Sequence, residues 1–158
     1  GPPRPPCAPP PPPGSGRGGA AAGGLGGPHP GLRPGADGWM DWAQTALQPA
    51  FLTGVFWGCY RTPEAQRDTA AIERSIAATH ACLRQLDRAL ADRPYLGGET
   101  LGLADIPAGT TLYRYFELDI PHPSMPHLQA WYERLQARPA YREHVMVPFG
   151  ELRGRLAF

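Results

Sequence analysis

Lysine is missing altogether: all 15 basic residues are arginine, set against 14 acidic residues for a net charge of +1. The arginines are spread along the chain rather than gathered on one segment, so there is no electrostatic footprint for nucleic acid and the bias reads as one of coding. Cysteine is scarce, and Cys7, Cys59 and Cys82 make no metal or redox spacing. An odd count with no recognisable signal peptide favours reduced thiols and a cytoplasmic location. No apolar run approaches the length needed to cross a bilayer, which sets a membrane partner aside. Large aliphatic side chains are nearly absent from residues 1–38, which hold only Leu25 and Leu32 but 12 of the 21 prolines and 12 of the 20 glycines.

That first stretch cannot bury enough apolar surface to offset the entropy of ordering, so residues 1–36 are expected to be a disordered Pro/Gly-rich lead-in. Its Pro6-x-x-Pro9 and Pro10-x-x-Pro13 spacings could dock an aromatic groove and Arg17-Gly18-Gly19 is a single RGG, but both patterns arise freely in such a composition, which is the expected reading. Residues 37–158 form the folding unit, about 120 residues, enough for one modest core.

Within it the periodicity is helical. A first helix is expected from Asp37, as N-cap, to about Trp57. Met40, Leu47, Phe51 and Val55 lie on one stripe, and Trp39, Trp42, Ala46 and Phe56 lie on another, with a bend at Pro49. Thr62 and Pro63 read as the start of a second helix reaching Ala91, whose stripe Ile72, Ile76, Thr79, Leu83, Leu86 and Leu90 faces a core. A third helix is expected from Leu103 to about Glu117. Gly102 is its N-cap, and Asp105, three residues on, can accept from the Gly102 N–H and meet the helix dipole. Leu101 and Ile106 are placed to close a hydrophobic staple, while Pro107 costs a backbone bond. Pro121, Pro123 and Pro126 mark a loop, Ser124 is the expected cap of a fourth helix over 125–137, and Arg138-Pro139 opens a fifth that ends at Val147-Pro148. No segment alternates as a strand does, so the fold class is all-α, a helical bundle.

Of the histidines His29, His80, His122, His127 and His144, none stands at ligand spacing from another His, Cys or carboxylate. His122 and His127 are expected as solvated loop imidazoles and His80 as a hydrogen-bonded boundary residue. No nucleophile elbow, phosphate loop or dinucleotide fingerprint is present.

The run Leu101-Gly102-Leu103-Ala104-Asp105-Ile106-Pro107-Ala108-Gly109 resembles the start of the central helix in the C-terminal domain of cytosolic glutathione transferases of bacterial type. There a Ser or Thr followed three residues later by Asp forms a folding-critical cap, and Gly102 departs from that pattern. Arg93-Pro94-Tyr95-Leu96-Gly97-Gly98 before it, and the segment from Leu128 to Tyr141 after it, are similar to the same family, so the resemblance covers residues 39–148. It implies a thioredoxin-like half ahead of residue 39 that this sequence does not show. Residues 1–35, opening on Gly1 rather than Met, are therefore expected to be a non-homologous lead-in such as a misassigned start in a GC-rich gene.

The resemblance also implies a division of labour. The thioredoxin-like half binds and activates the thiol of glutathione, and the helical half supplies one wall for a small hydrophobic electrophile. The wall positions carried over are Gln48 and Phe51 on the first helix and Tyr113 and Arg114 on the third, and no catalytic residue falls in this chain. Phe51 and Tyr113 also lie at helical spacing from core positions, so packing competes with a wall role for both. Glutathione is the implied co-substrate, with none expected to bind this chain tightly, and the chain alone is expected to be inactive. Loss of the other half is expected to leave aromatic surface near Trp39 and Trp42 uncovered, open to a second copy or another protein. The alternative is a non-catalytic interaction module on the same fold.

Overall fold

The computed structural model describes residues 35–157, so the expectation for residues 1–34 lies outside the described residues. Gly35 and Ala36, placed with that lead-in, instead open the first helix. α1 spans Ala36–Trp42 with Gly35 as N-cap and Asp37 inside the first turn rather than capping it. The same helix runs on through wide π-type turns over Ala43–Leu47 and Pro49–Arg61. Pro49 accounts for the widening: it has no N–H to give, and its ring would collide with a carbonyl one tight turn back, a conflict that a wider turn relieves.

Thr62 does not start the next helix but finishes this one, its backbone N and Oγ1 both donating to the Trp57 carbonyl at 3.0 and 2.7 Å. A short 3-10 turn, Glu64–Gln66, follows. α2 then spans Thr69–Ala89, capped by Asp68, whose carboxylate accepts from the Ala71 N–H at 3.0 Å. The expected stripe holds in full, with Ile72, Ile76, Thr79, Leu83, Leu86 and Leu90 all buried. The Thr79 hydroxyl is reconciled with burial by donating back to the Ser75 carbonyl. α2 packs along the wide-turned helix, and Gly54 permits it: a Cβ there would lie 2.5 Å from that of Ser75.

α3 spans Asp105–Glu117, two residues shorter than expected, with Ala104 rather than Gly102 as N-cap and Asp105 as its first residue, because a preceding turn, in which the Asp105 N–H meets the Gly102 carbonyl, takes up the segment assigned to the helix start. Pro107 thus falls in the first turn, where its missing N–H costs nothing. Leu101 packs on the core, whereas Ile106 stays 49% exposed. α4, Pro126–Gln136, is not capped by Ser124. The Asp87 carboxylate reaches from α2 and accepts from the His127 and Leu128 N–H groups, both at 2.9 Å, so tertiary structure supplies the cap. α5, Pro139–His144, and a 3-10 turn, Gly150–Leu152, complete the chain. Among the described residues there is no strand, only an isolated bridge between Tyr95 and Gly98, and the fold is the all-α bundle expected.

The core is continuous. Phe51, Leu47, Leu83, Leu86, Leu112, Tyr115, Leu128 and Trp131 are its fully buried centre. Trp39 and Trp42 are buried as well, in edge contact at 5.3 Å, with Trp42 Nε1 donating to Gln85 at 2.9 Å. The expectation that they form an uncovered patch is therefore corrected: α1 turns both indoles inward. Cys82 is a free, buried thiol, in keeping with the reduced state expected, and Cys59 is buried in the core. No helix among the described residues is long and apolar enough to cross a membrane.

Candidate functional site

The candidate site depends on how α3 is held, and Asp105 holds it. Its side chain has 0% exposure, and Oδ2 accepts from the Gly102 N–H at 2.9 Å, as the cap reading expects. Oδ1 adds two donors that the spacing did not reveal, the Leu96 N–H at 2.9 Å and Trp131 Nε1 at 3.1 Å. One carboxylate therefore joins the loop before α3, the first turn of α3 and the middle of α4. The loop is secured from its other side, where Arg134 directs Nε and Nη2 at the Pro94 carbonyl at 2.9 and 2.7 Å. Tyr95 and Gly98 exchange two backbone bonds across a turn that needs φ of 134° at Gly98, a conformation suited to glycine. At the far side of α3, Gly109 lets α4 approach, and its carbonyl accepts from the Tyr141 hydroxyl at 2.7 Å.

So anchored, α3 presents Tyr113 and Arg114, both half-buried, on its C-terminal half. The Arg114 guanidinium lies 4.9 Å from the Phe56 ring centroid and 6.0 Å from that of Phe149. Tyr113 meets Phe149 edge to face at 5.9 Å, and Phe149 in turn meets Phe56 at 5.5 Å and Tyr60 at 5.2 Å. Phe149 comes from the C-terminal segment, which Arg61 fastens down. Arg61 is buried, stacks at 3.9 Å over Trp57, and donates to the carbonyls of Arg155 at 2.8 Å and Ala157 at 3.1 Å.

Of the four wall residues expected, the structure brings Tyr113 and Arg114 together. Gln48 is exposed on the first helix. Phe51 is 1% exposed and spends its ring on the core, in edge contact with Tyr115 at 6.0 Å. Phe56, read from the sequence as a stripe residue, was not expected in the wall, and neither were Tyr60 and Phe149. The four-residue spacing of Phe56 and Tyr60 was a signal for the first two, whereas Phe149 sits where no periodicity points.

Among the described residues the titratable groups are scattered rather than gathered into one centre. His80 is buried, and desolvation holds its pKa below the usual value, with Arg84 and His122 acting the same way and the Pro121 backbone opposing them. His122 is an exposed loop imidazole, as expected, with Nε2 2.9 Å from the Tyr115 carbonyl and its ring 4.8 Å from that of Tyr115. His127 and His144 face solvent, and His29 lies outside the described residues. Burial raises the phenols of Tyr115 and Tyr132 to about 12 and pushes that of Tyr141 up as well, so all three stay protonated at neutral pH. Among the described residues no group of three His, Cys, Asp or Glu side chains is placed to hold a metal ion. The arrangement can bind an aromatic or anionic group through its rings and Arg114.

Residues 49–139 match the sequence profile of the family described as Glutathione S-transferase, C-terminal domain. The chain is 38% identical over 119 residues to glutathione S-transferase GstB of Escherichia coli (strain K12), covering 75% of this chain and 57% of that protein. Among solved structures it is similar to the theta class glutathione S-transferase of Xanthomonas axonopodis pv. citri with glutathione bound. That similarity has 45% identity and a TM-score of 0.69, over 72% of this chain and 59% of that one. The apo form of the same protein gives 46% identity and a TM-score of 0.67. The chain therefore spans less than two thirds of the length of these relatives.

Proposed function

The chain belongs to the glutathione S-transferase family through that family's C-terminal domain, and on that premise we propose that it forms the hydrophobic co-substrate wall of a glutathione-conjugating site. The observation that carries the reading is the half-buried cluster in which Arg114 lies over Phe56 while Tyr113 and Phe149 meet edge to face. Aromatic faces suit the apolar body of a small electrophile, and a fixed guanidinium suits a polar or anionic substituent on it. Gln48 and Phe51, the other expected wall residues, contribute differently in this reading: Gln48 as an exposed hydrogen-bonding group and Phe51 as packing beneath the wall.

Conjugation needs a thiol converted to thiolate by a donor, with a site that orients it. The described residues offer protonated phenols and scattered histidines instead, so glutathione is a co-substrate of the complete site and binds these helices weakly. The chain by itself is then inactive, and a second copy or another protein is its partner. Binding of an anionic aromatic dye tests the wall. Arg114→Ala should weaken it about 5-fold or more, the scale of a desolvated cation–π contact, with Tyr113→Ala acting in the same direction. Unchanged dye affinity in both variants would remove the wall from this face of α3.

A further inference from the structure

The aromatic rings that would receive an electrophile are covered in the folded chain. Phe56 is 1% exposed, and Phe149, which lies against it, is 9% exposed. Phe149 meets Phe56 at 5.5 Å, Tyr60 at 5.2 Å and Tyr113 at 5.9 Å, edge to face each time, with the Arg114 guanidinium 6.0 Å from its centroid. Rings at these separations and angles are in the arrangement that aromatic groups prefer. An aryl ligand entering this cluster would make the same contacts, so Phe149 stands where such a ligand belongs.

The segment that carries Phe149 is thinly held. Pro148 and Gly150 on either side of it are exposed, and between Glu151 and Ala157 only Leu152 and Gly154 are half-buried. Its fastening lies at the end of the first helix. Arg61 donates to the carbonyls of Arg155 and Ala157, and the Gly154 N–H donates to the Tyr60 carbonyl at 2.9 Å from a turn with φ of 67°. Exposed turns of this kind open more readily than packed helices, because water takes over their hydrogen bonds.

We propose that residues 149–157 form a strap closed over the co-substrate wall, with Phe149 as its internal occupant and Tyr60 and Arg61 as its latch, and that an aryl ligand binds by displacing Phe149. The inference rests on the wall reading above and adds that the wall is closed at rest. Arg61 is then a positioning residue, acting on the ligand through the strap. Apparent affinity is the intrinsic affinity scaled by the open fraction, so loosening the latch strengthens binding.

Gly154→Pro loosens the latch at a distance from the wall, since proline neither adopts a positive φ nor has an N–H to give Tyr60. Anilinonaphthalene sulfonate, an anionic aromatic dye, should bind this variant about 3- to 10-fold more tightly than the parent, the change that one lost hydrogen bond makes to the opening equilibrium. Phe149→Ala, which removes the occupant, should act in the same direction, and Gly154→Pro alone decides should that variant fail to fold. Adding Arg114→Ala to Gly154→Pro should cancel the gain, which locates the gain at the wall. Unchanged or weaker binding in Gly154→Pro, or weaker binding in Phe149→Ala, would overturn the strap while the wall stands, provided Arg114→Ala still weakens the parent. A gain that survives Arg114→Ala would overturn it as well, by placing the dye elsewhere. No effect of Arg114→Ala or Tyr113→Ala in the parent would remove wall and strap together.

Discussion

Replacing Asp105 tests the structural account at its most connected point. Asp105→Ala strands the Leu96 N–H and Trp131 Nε1 in buried surroundings and the Gly102 N–H in a partly buried one. Each buried orphan costs about 1–3 kcal/mol and a lost cap about 1 kcal/mol. The sum, trimmed for local relaxation, is about 3–5 kcal/mol, a large share of the 5–15 kcal/mol typical of a domain. Asp105→Asn separates the contributions. It keeps an acceptor at Oδ1 for Leu96 and Trp131 but turns an NH2 toward the Gly102 N–H, so it should cost only about 1–2 kcal/mol. Gly102→Ser should gain a few tenths of a kcal/mol, since nothing lies within 4 Å of a Cβ there and a hydroxyl would complete the box. Urea denaturation followed by far-ultraviolet circular dichroism and tryptophan fluorescence measures all three. An Asp105→Ala variant within about 0.5 kcal/mol of the parent would refute the reasoning, because stranded donors inside a core cannot be that cheap.

Two further outcomes follow from the packing and the titration behaviour. Gly54→Ala should destabilise by about 1–3 kcal/mol by forcing the first helix off α2. Ser75→Gly, which removes the opposing Cβ, should recover part of that in a double variant, whereas strict additivity of the two changes in urea melts would mean the helices do not touch there. His80 is held neutral by burial, with a folded-state pKa below its ordinary 6.5. Protonation therefore favours the unfolded chain: the contribution of His80 is complete above about pH 6.5 and is lost as pH falls through the folded value. The urea midpoint should drop between pH 7 and 5, and His80→Gln should flatten that drop. An equal slope in both proteins would place the titrating group elsewhere.

What the sequence made legible was what local chemistry decides. The α2 stripe from Ile72 to Leu90 follows from spacing alone, and all six of its members are buried. Asp105 was read as a cap because the Gly102 N–H is three residues away. Its bonds to Leu96, nine residues back, and Trp131, 26 ahead, exist only once the loop and α4 have docked. The same distinction explains α4, where Ser124 satisfied the local rule for a cap but Asp87, some 40 positions earlier in sequence, makes the bonds. Trp39 and Trp42 were assigned to an uncovered face because the family resemblance implies another half packed against them, and here both indoles are buried within the chain itself. In the site, Tyr113 and Arg114 were reached through family resemblance rather than periodicity. Phe149 could not be reached at all, since its place beside Phe56 and Tyr60 depends on a tail fastened by Arg61 to carbonyls some 95 residues away.

The central claim is that these helices supply a co-substrate wall and leave thiol activation to another half of the site. The most direct measurement is conjugation of glutathione to a chromogenic aryl electrophile by the purified chain, shown by mass to begin at Gly1. The expected result is no rate above the uncatalysed reaction, with the dye-binding surface intact on the same sample. A robust glutathione-dependent rate, abolished by substitutions within residues 35–157, would contradict the account and place thiol activation inside these helices.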